Sequence, residues 1–210
     1  LRFGDTDNND VGQIKYNHSD NSLGLYTANT NERVRIDASG NTNIVGILTT
    51  QYLKVSSGSD DNKQNVKIGW MSSENLSTGN YNVLVGRRAG EDVDTGSNLV
   101  LIGNNAGQKQ TNQNASVIIG GAAGNNATGD GNIYIGRNAA QQSTSASSNV
   151  IIGTYAGIDN QGSENTIVGY YAGRGASGAT DGHSNTFIGS QVGMPIRGGD
   201  NNTGVGFNAL

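Results

Sequence analysis

The sequence predicts an all-β protein, a repetitive β-solenoid preceded by a short β-meander. Three observations carry that prediction. A pattern typified by Asn149-Val-Ile-Ile-Gly-Thr-Tyr-Ala-Gly157 recurs around Gly69, Gly86, Gly103, Gly120, Gly136, Gly153, Gly169, Gly189 and Gly206, in steps of 17, 17, 17, 16, 17, 16, 20 and 17 residues. A near-constant period of this length is the signature of stacked repeats, each burying its apolar side against its neighbours. The residue before each glycine is Val or Ile, which suits a pleated surface, and the spacers are rich in Asn, Ser, Thr, Gly and Asp, which is turn chemistry.

Residues 1–64 are expected to form the meander and an extended stem. Val11–Tyr16, Leu23–Tyr26 and Arg33–Ile36 read as short strands, separated by Asn17–Ser22 and Thr27–Asn31 and closed by Asp37–Asn41. Runs at this spacing predict hairpins. The alternation in Arg33-Val34-Arg35-Ile36 predicts one wet face and one buried face. A further extended stretch, Asn43–Ser57, leads to the polar segment 56–64, the expected boundary.

Residues 65–210 form the array, nine β repeats of roughly 17 residues. The positions one and three before each glycine are two apart and share a strand face, so this Val, Ile and Thr face is expected to line the coil interior. The residue between them points the other way, yet it is large and apolar in seven of nine copies, Leu84, Leu101 and Ile118 among them. A strand apolar on both faces is buried on both faces. An identical chain is the simplest second cover, so a homo-oligomer is expected. Small residues such as Ala89, Ala106 and Ala123, followed by Gly90, Gly107 and Gly124, predict close backbone approach and a tight turn. A β-roll and an intertwined triple β-helix both satisfy the pattern.

Composition narrows the function. Charged residues make up 14% and the net charge is −4, with no Lys/Arg stripe to follow phosphates, so nucleic acid is not an expected partner. No apolar run reaches the length of a helical membrane span, and no membrane insertion is expected. The absence of cysteine excludes disulfides, thiolate metal sites and a cysteine nucleophile. The chain begins at Leu1 and stops within a repeat at Leu210, so a piece of a longer or processed protein is expected.

No catalytic, cofactor or metal residue is expected. Gly173–Gly178 matches G-x-G-x-x-G and Gly204–Ala209 its alanine variant, but neither opens the helix that a dinucleotide site needs. Asp5, Asp7 and Asn9 have calcium-loop spacing, but Asp10 and Tyr16 stand where the loop needs Gly and Glu. Glu91, Asp92 and Asp94 read as a solvated turn, and His18 and His183 lie in separate turns. The two residues after each glycine vary most. Tyr155 and Tyr171 fill the same slot in successive coils and are expected to stack; exposed, such a ladder offers apolar faces to sugars, and buried, it is interface packing. The long spacer after Gly173 and the Met194-Pro195 interruption add Arg174, His183 and Pro195 as expected receptor contacts, because loops on a rigid scaffold carry binding residues.

Two stretches resemble known fibres. The run Phe3-Gly-Asp-Thr-Asp-Asn-Asn-Asp-Val-Gly-Gln-Ile-Lys-Tyr16, with Glu32-Arg-Val-Arg-Ile-Asp-Ala-Ser-Gly-Asn41, resembles a segment of bacteriophage tail fibres and tailspikes. The Asn-x-x-Ile-Gly-x-x-Ala-Gly copies are similar to repeats of those fibres and of trimeric autotransporter adhesin heads. The adhesin-head repeats are shorter than the 16 or 17 residues usual here, so their left-handed roll is not carried over. The resemblance implies a homotrimer, an extracellular place on a virion or cell surface, contacts with other virion tail proteins, and a host glycan or protein receptor. The expected function is a non-catalytic structural and host-attachment segment of a trimeric tail fibre or spike. A polysaccharide depolymerase spike, a bacterial adhesin and an ice-binding solenoid are the alternatives.

Overall fold

A computed structural model describes residues 2–3, 12–27, 31–45, 64–175, 182–194 and 198–210. The chain divides into two compact units, Leu1–Lys54 and Val55–Leu210. Most of the expected boundary, 56–63, lies outside the described residues.

The first unit is an antiparallel sheet of five strands in sequential order: β1 (Arg2–Phe3), β2 (Gly12–Asn17), β3 (Ser22–Thr27), β4 (Asn31–Ile36) and β5 (Thr42–Ile44). Turn chemistry sets the hairpins. Asn21 takes the left-handed conformation at φ 53° between β2 and β3. Between β4 and β5, Asp37 Oδ1 accepts the N–H groups of Ser39 and Asn41, each at 2.9 Å. Cross-strand register places Tyr16, Leu23 and Ile36 in one row and Ile14, Leu25, Val34 and Ile44 in the next, all on one face. The expected buried face of β4 is open: Ile36 is 38% and Leu25 40% exposed. Among the described residues this unit is a single layer, and a single layer has nothing of its own to lay over its apolar side.

The second unit is a parallel sheet of nine three-residue strands: β6 (Val66–Ile68), β7 (Val83–Val85), β8 (Val100–Ile102), β9 (Val117–Ile119), β10 (Ile133–Ile135), β11 (Val150–Ile152), β12 (Thr166–Val168), β13 (Thr186–Ile188) and β14 (Thr203–Val205). Each pairs with the next without a register slip, so equivalent residues stack in columns. Successive strands of one chain are direct neighbours, which makes the unit a single-chain β-solenoid rather than an intertwined helix. Hydrogen bonds join the coils around the rest of the perimeter too, as from Gly107 N–H to the Ala123 carbonyl (3.0 Å) and from Lys109 N–H to that of Asn125 (3.0 Å).

The structure reverses the expected facing of the strands. The middle residue is the interior one: Leu84, Leu101, Ile118, Tyr134 and Ile151 are fully buried. They pack against Ala89, Ala106, Ala123, Ala139 and Ala156 in one continuous core. The residues one and three before each glycine point outward, and Ile68, Ile133 and Ile188 are exposed. Leu101 and Ile118 are therefore core residues, not the interchain surface. The physical reason is width. A coil this narrow holds one large side chain per strand, and the Ala three residues past the glycine is small because that side chain lies against it.

Two ladders of polar side chains run up the stack. Four residues before the glycine stand Asn65, Asn82, Asn132, Asn149, Asn165, Asn185 and Asn202. In the longest run each Oδ1 accepts the N–H of the equivalent residue one coil on: Asn149 N–H to Asn132 (3.0 Å), Asn165 N–H to Asn149 (2.8 Å) and Asn185 N–H to Asn165 (2.8 Å). Amides also tie down loop carbonyls, as from Asn132 Nδ2 to the Ala146 oxygen at 2.8 Å. These backbone groups are buried, and leaving one unpaired costs about 1–3 kcal/mol. Asn132→Ala is expected to lower stability by about 2–3 kcal/mol, read as an earlier urea midpoint, because it strips an acceptor from Asn149 and a donor from Ala146 together. Asn132→Ser is expected to recover part of the loss, since the Ser116 hydroxyl plays this role for Asn132 N–H at 3.2 Å.

Candidate functional site

The corner that follows each repeat glycine carries the side chains of interest. The glycine sits at φ 139° in Gly153 and 138° in Gly169, and the second residue after it is left-handed, 58° at Tyr155 and 55° at Tyr171. This sharp corner turns the first residue outward. Its carbonyl accepts an N–H from the next coil, as Arg137 does from Tyr155 (2.9 Å) and Thr154 from Tyr171 (3.1 Å). Corners therefore stack in register, and side chains of neighbouring coils meet.

At the C-terminal end of this edge, Tyr155 and Tyr171 stack with centroids 5.0 Å apart and planes at 17°. Arg137, one coil back, places Cζ 4.7 Å from the Tyr155 centroid, and Arg174 places its own 5.0 Å from that of Tyr171. Tyr170 meets Tyr171 edge-on at 4.4 Å and 88°, and is 51% exposed. At the N-terminal end of the same edge, Trp70 is 61% exposed, with Arg87 at 5.1 Å and Arg88 at 5.5 Å from its ring centroid. Arg88 also pairs with Glu91 at 3.7 Å.

The structure thus brings Tyr155, Tyr171 and Arg174 together as one cation–aromatic stack. His183 lies apart from them. Its Nδ1 accepts Ser163 N–H at 3.0 Å, and its backbone N–H donates to Asp200 Oδ1 at 2.8 Å. It belongs to the second polar ladder, six residues before each glycine, where Asn114 N–H donates to Asp130 (2.7 Å) and Asp130 N–H to Ser147 (3.1 Å). Pro195 lies outside the described residues, as do Asp5, Asp7 and Asn9. Trp70, Arg87, Arg137 and Tyr170 were not singled out in the sequence. The signal that finds them is their shared slot, the first or second place after a repeat glycine.

Among the described residues no three His, Cys, Asp or Glu side chains come together as metal ligands. Gly204–Ala209 is strand β14 running into a turn rather than into a helix. Among the described residues a small, partly open gap is lined by Asn160, Asn165, Ile167, Asn185 and Phe187 among others, with room for about one water molecule.

The interior holds a titratable group. Burial pushes the Tyr134 hydroxyl up to about 12, and the Ser143 and Asn149 side chains beside it pull it back only in part. A tyrosine whose folded value is raised contributes stability that is full below the unfolded value near 10 and is lost as pH climbs through the folded one. The array is expected to lose about 2 kcal/mol between pH 10 and 12 through this residue, the slope approaching about 1.4 kcal/mol per unit midway. Urea midpoints across that range check it, because Tyr134→Phe is expected to flatten this part of the decline.

Comparison with protein-family models, curated proteins and solved structures returns no match to this chain.

Proposed function

We propose that the chain is a structural and host-attachment segment of a homotrimeric extracellular fibre, a bacteriophage tail fibre or spike, non-catalytic and joined to other tail proteins. The observation that carries the reading is the outer face of the parallel sheet. Its two columns, exemplified by Val100, Val117 and Val150 and by Ile102, Ile119 and Ile152, repeat over nine coils and point away from the core. With strands about 4.8 Å apart, the face is roughly 38 Å long, and its columns are about 7 Å apart. That is comparable to the largest apolar patches on soluble monomers, which mark contact surfaces. A flat, regular face of this kind fits an equivalent face of another copy, coil against coil. The apolar side of the first unit adds a second surface of the same character.

Native mass by sedimentation equilibrium tests the reading, and three copies are expected. A monomer would overturn it. A reducing-sugar assay on capsular polysaccharide is expected to show no turnover. A second reading has one observation in its favour. Thr166, Thr186 and Thr203 stack in register on the outward face, where an ice-binding array would need them. They occupy only three of the nine places in their column, so the apolar contact surface is preferred.

A further inference from the structure

We propose that the corner running from Trp70 to Tyr170 is a binding ridge for an acidic polysaccharide, an extended carboxylated or sulfated glycan lying along the stack axis. This names the receptor class for the attachment role and rests on that reading for its biological setting; the binding itself does not. The first observation is segregation. All four arginines among the described residues of the array, Arg87, Arg88, Arg137 and Arg174, stand on this one corner. Among the described residues only Arg88 of these four pairs with a carboxylate, Glu91. The aromatics of the array segregate with them: Trp70, Tyr155, Tyr170, Tyr171 and Phe207 share the corner, and among the described residues of the array Tyr81 is the one outward aromatic placed elsewhere.

Chemistry then selects the ligand. Guanidinium forks match carboxylate and sulfate oxygens, and the weakly hydrated guanidinium still engages an anion while resting on an aromatic ring. Exposed rings offer apolar surface to the C–H face of a sugar, and phenol hydroxyls offer hydrogen bonds to its rim. Phe207, Trp70 and Tyr170 are the most open rings of the corner, 72%, 61% and 51% exposed, and Trp70 stays open although Arg87 and Arg88 rest against it. Tyr155 and Tyr171 have faces taken by one another and by Arg137 and Arg174, so they hold the guanidinium groups in place rather than receive a ring. The same closure disfavours single-stranded nucleic acid, which needs successive free stacking faces. Length points to a chain rather than a single sugar: six coils separate Trp70 from Tyr170, about 29 Å at the strand spacing. The overall charge of −4 opposes polyanions at long range, so short-range contacts on the ridge carry the affinity.

The test is calorimetric titration of the whole protein with heparin-derived oligosaccharide and oligogalacturonate, against neutral dextran and oligothymidylate. Binding of at least one acidic glycan is expected, with none to dextran. Arg137→Gln and Arg174→Gln are each expected to weaken it at least fivefold, and Tyr170→Ala comparably. Lys109→Gln removes the same charge from an exposed position off the ridge and is expected to change it less than twofold. Equal losses from Lys109→Gln and Arg137→Gln would reduce the effect to general charge and overturn the site. No binding of either acidic glycan, equal binding of dextran, or tighter binding of oligothymidylate would overturn it as well. Sedimentation on the same samples separates the two proposals. A monomer that binds keeps the ridge and removes the fibre; a trimer that binds nothing does the reverse.

Discussion

Gly120→Ala is expected to cost the array at least about 4 kcal/mol, the sum of an unfavourable backbone conformation and a backbone collision. Gly120 sits at φ 137°, and a methyl group there would lie 2.5 Å from the carbonyl oxygen of Gly136 in the next coil. That oxygen cannot withdraw, because Gly136 is held in turn by its own N–H bond to the Ile119 carbonyl at 2.8 Å. Relief would require the coils to separate, breaking ladder bonds at both neighbours, and stability in a stack is a sum of such neighbour terms. The control is one residue away. A methyl group on Gly121 meets nothing within 4 Å, so Gly121→Ala is expected to leave the urea midpoint within about 0.5 kcal/mol of the parent. Similar losses in both variants, by urea unfolding followed by circular dichroism, would mean that the inter-coil contact is not what demands glycine.

The second large effect separates the two faces of a single strand. In β9, Val117 and Ile119 point out and are half-buried, while Ile118 between them has no exposed surface. Val117→Asp with Ile119→Asp is expected to leave the fold intact and to weaken association at least a hundredfold, about 3 kcal/mol, because the charges would have to be desolvated against an apolar partner. Ile118→Asp is expected to unfold the array, since the carboxylate would enter a core of Leu101, Ala123 and Tyr134. Sedimentation and circular dichroism read the two outcomes independently. A folded trimer of the outer-face variant would move the interchain surface elsewhere. A folded Ile118→Asp variant would mean that the assignment of inside and outside is wrong.

Much of this architecture was legible in the residues. The glycine step located nine strands, the Val and Ile content identified them as strands, and the turn clusters at Asn17–Ser22 and Asp37–Asn41 marked the β2–β3 and β4–β5 hairpins. The stacking of Tyr155 on Tyr171 followed from their shared slot. The role of the asparagine four residues before the glycine was not legible. A recurring Asn signals a turn as readily as a ladder, and only parallel, in-register stacking puts each Oδ1 under the next N–H. For His183 the ambiguity was the same: a lone imidazole in a spacer reads as a free ligand until Ser163 N–H is found pointing at it.

The sequence by itself determined the repeat, the all-β class, the single short strand per coil and the need for glycine where chains approach. Which strand face is the inside was decided only by the tertiary structure. Alternation of period two assigns residues to opposite faces but is silent on which face is covered, and here both are apolar. The decision rests on the other wall of the coil. Ala89, Ala106 and Ala123 close over Leu84, Leu101 and Ile118, so the narrow interior takes one large residue per strand and turns its β-branched neighbours outward.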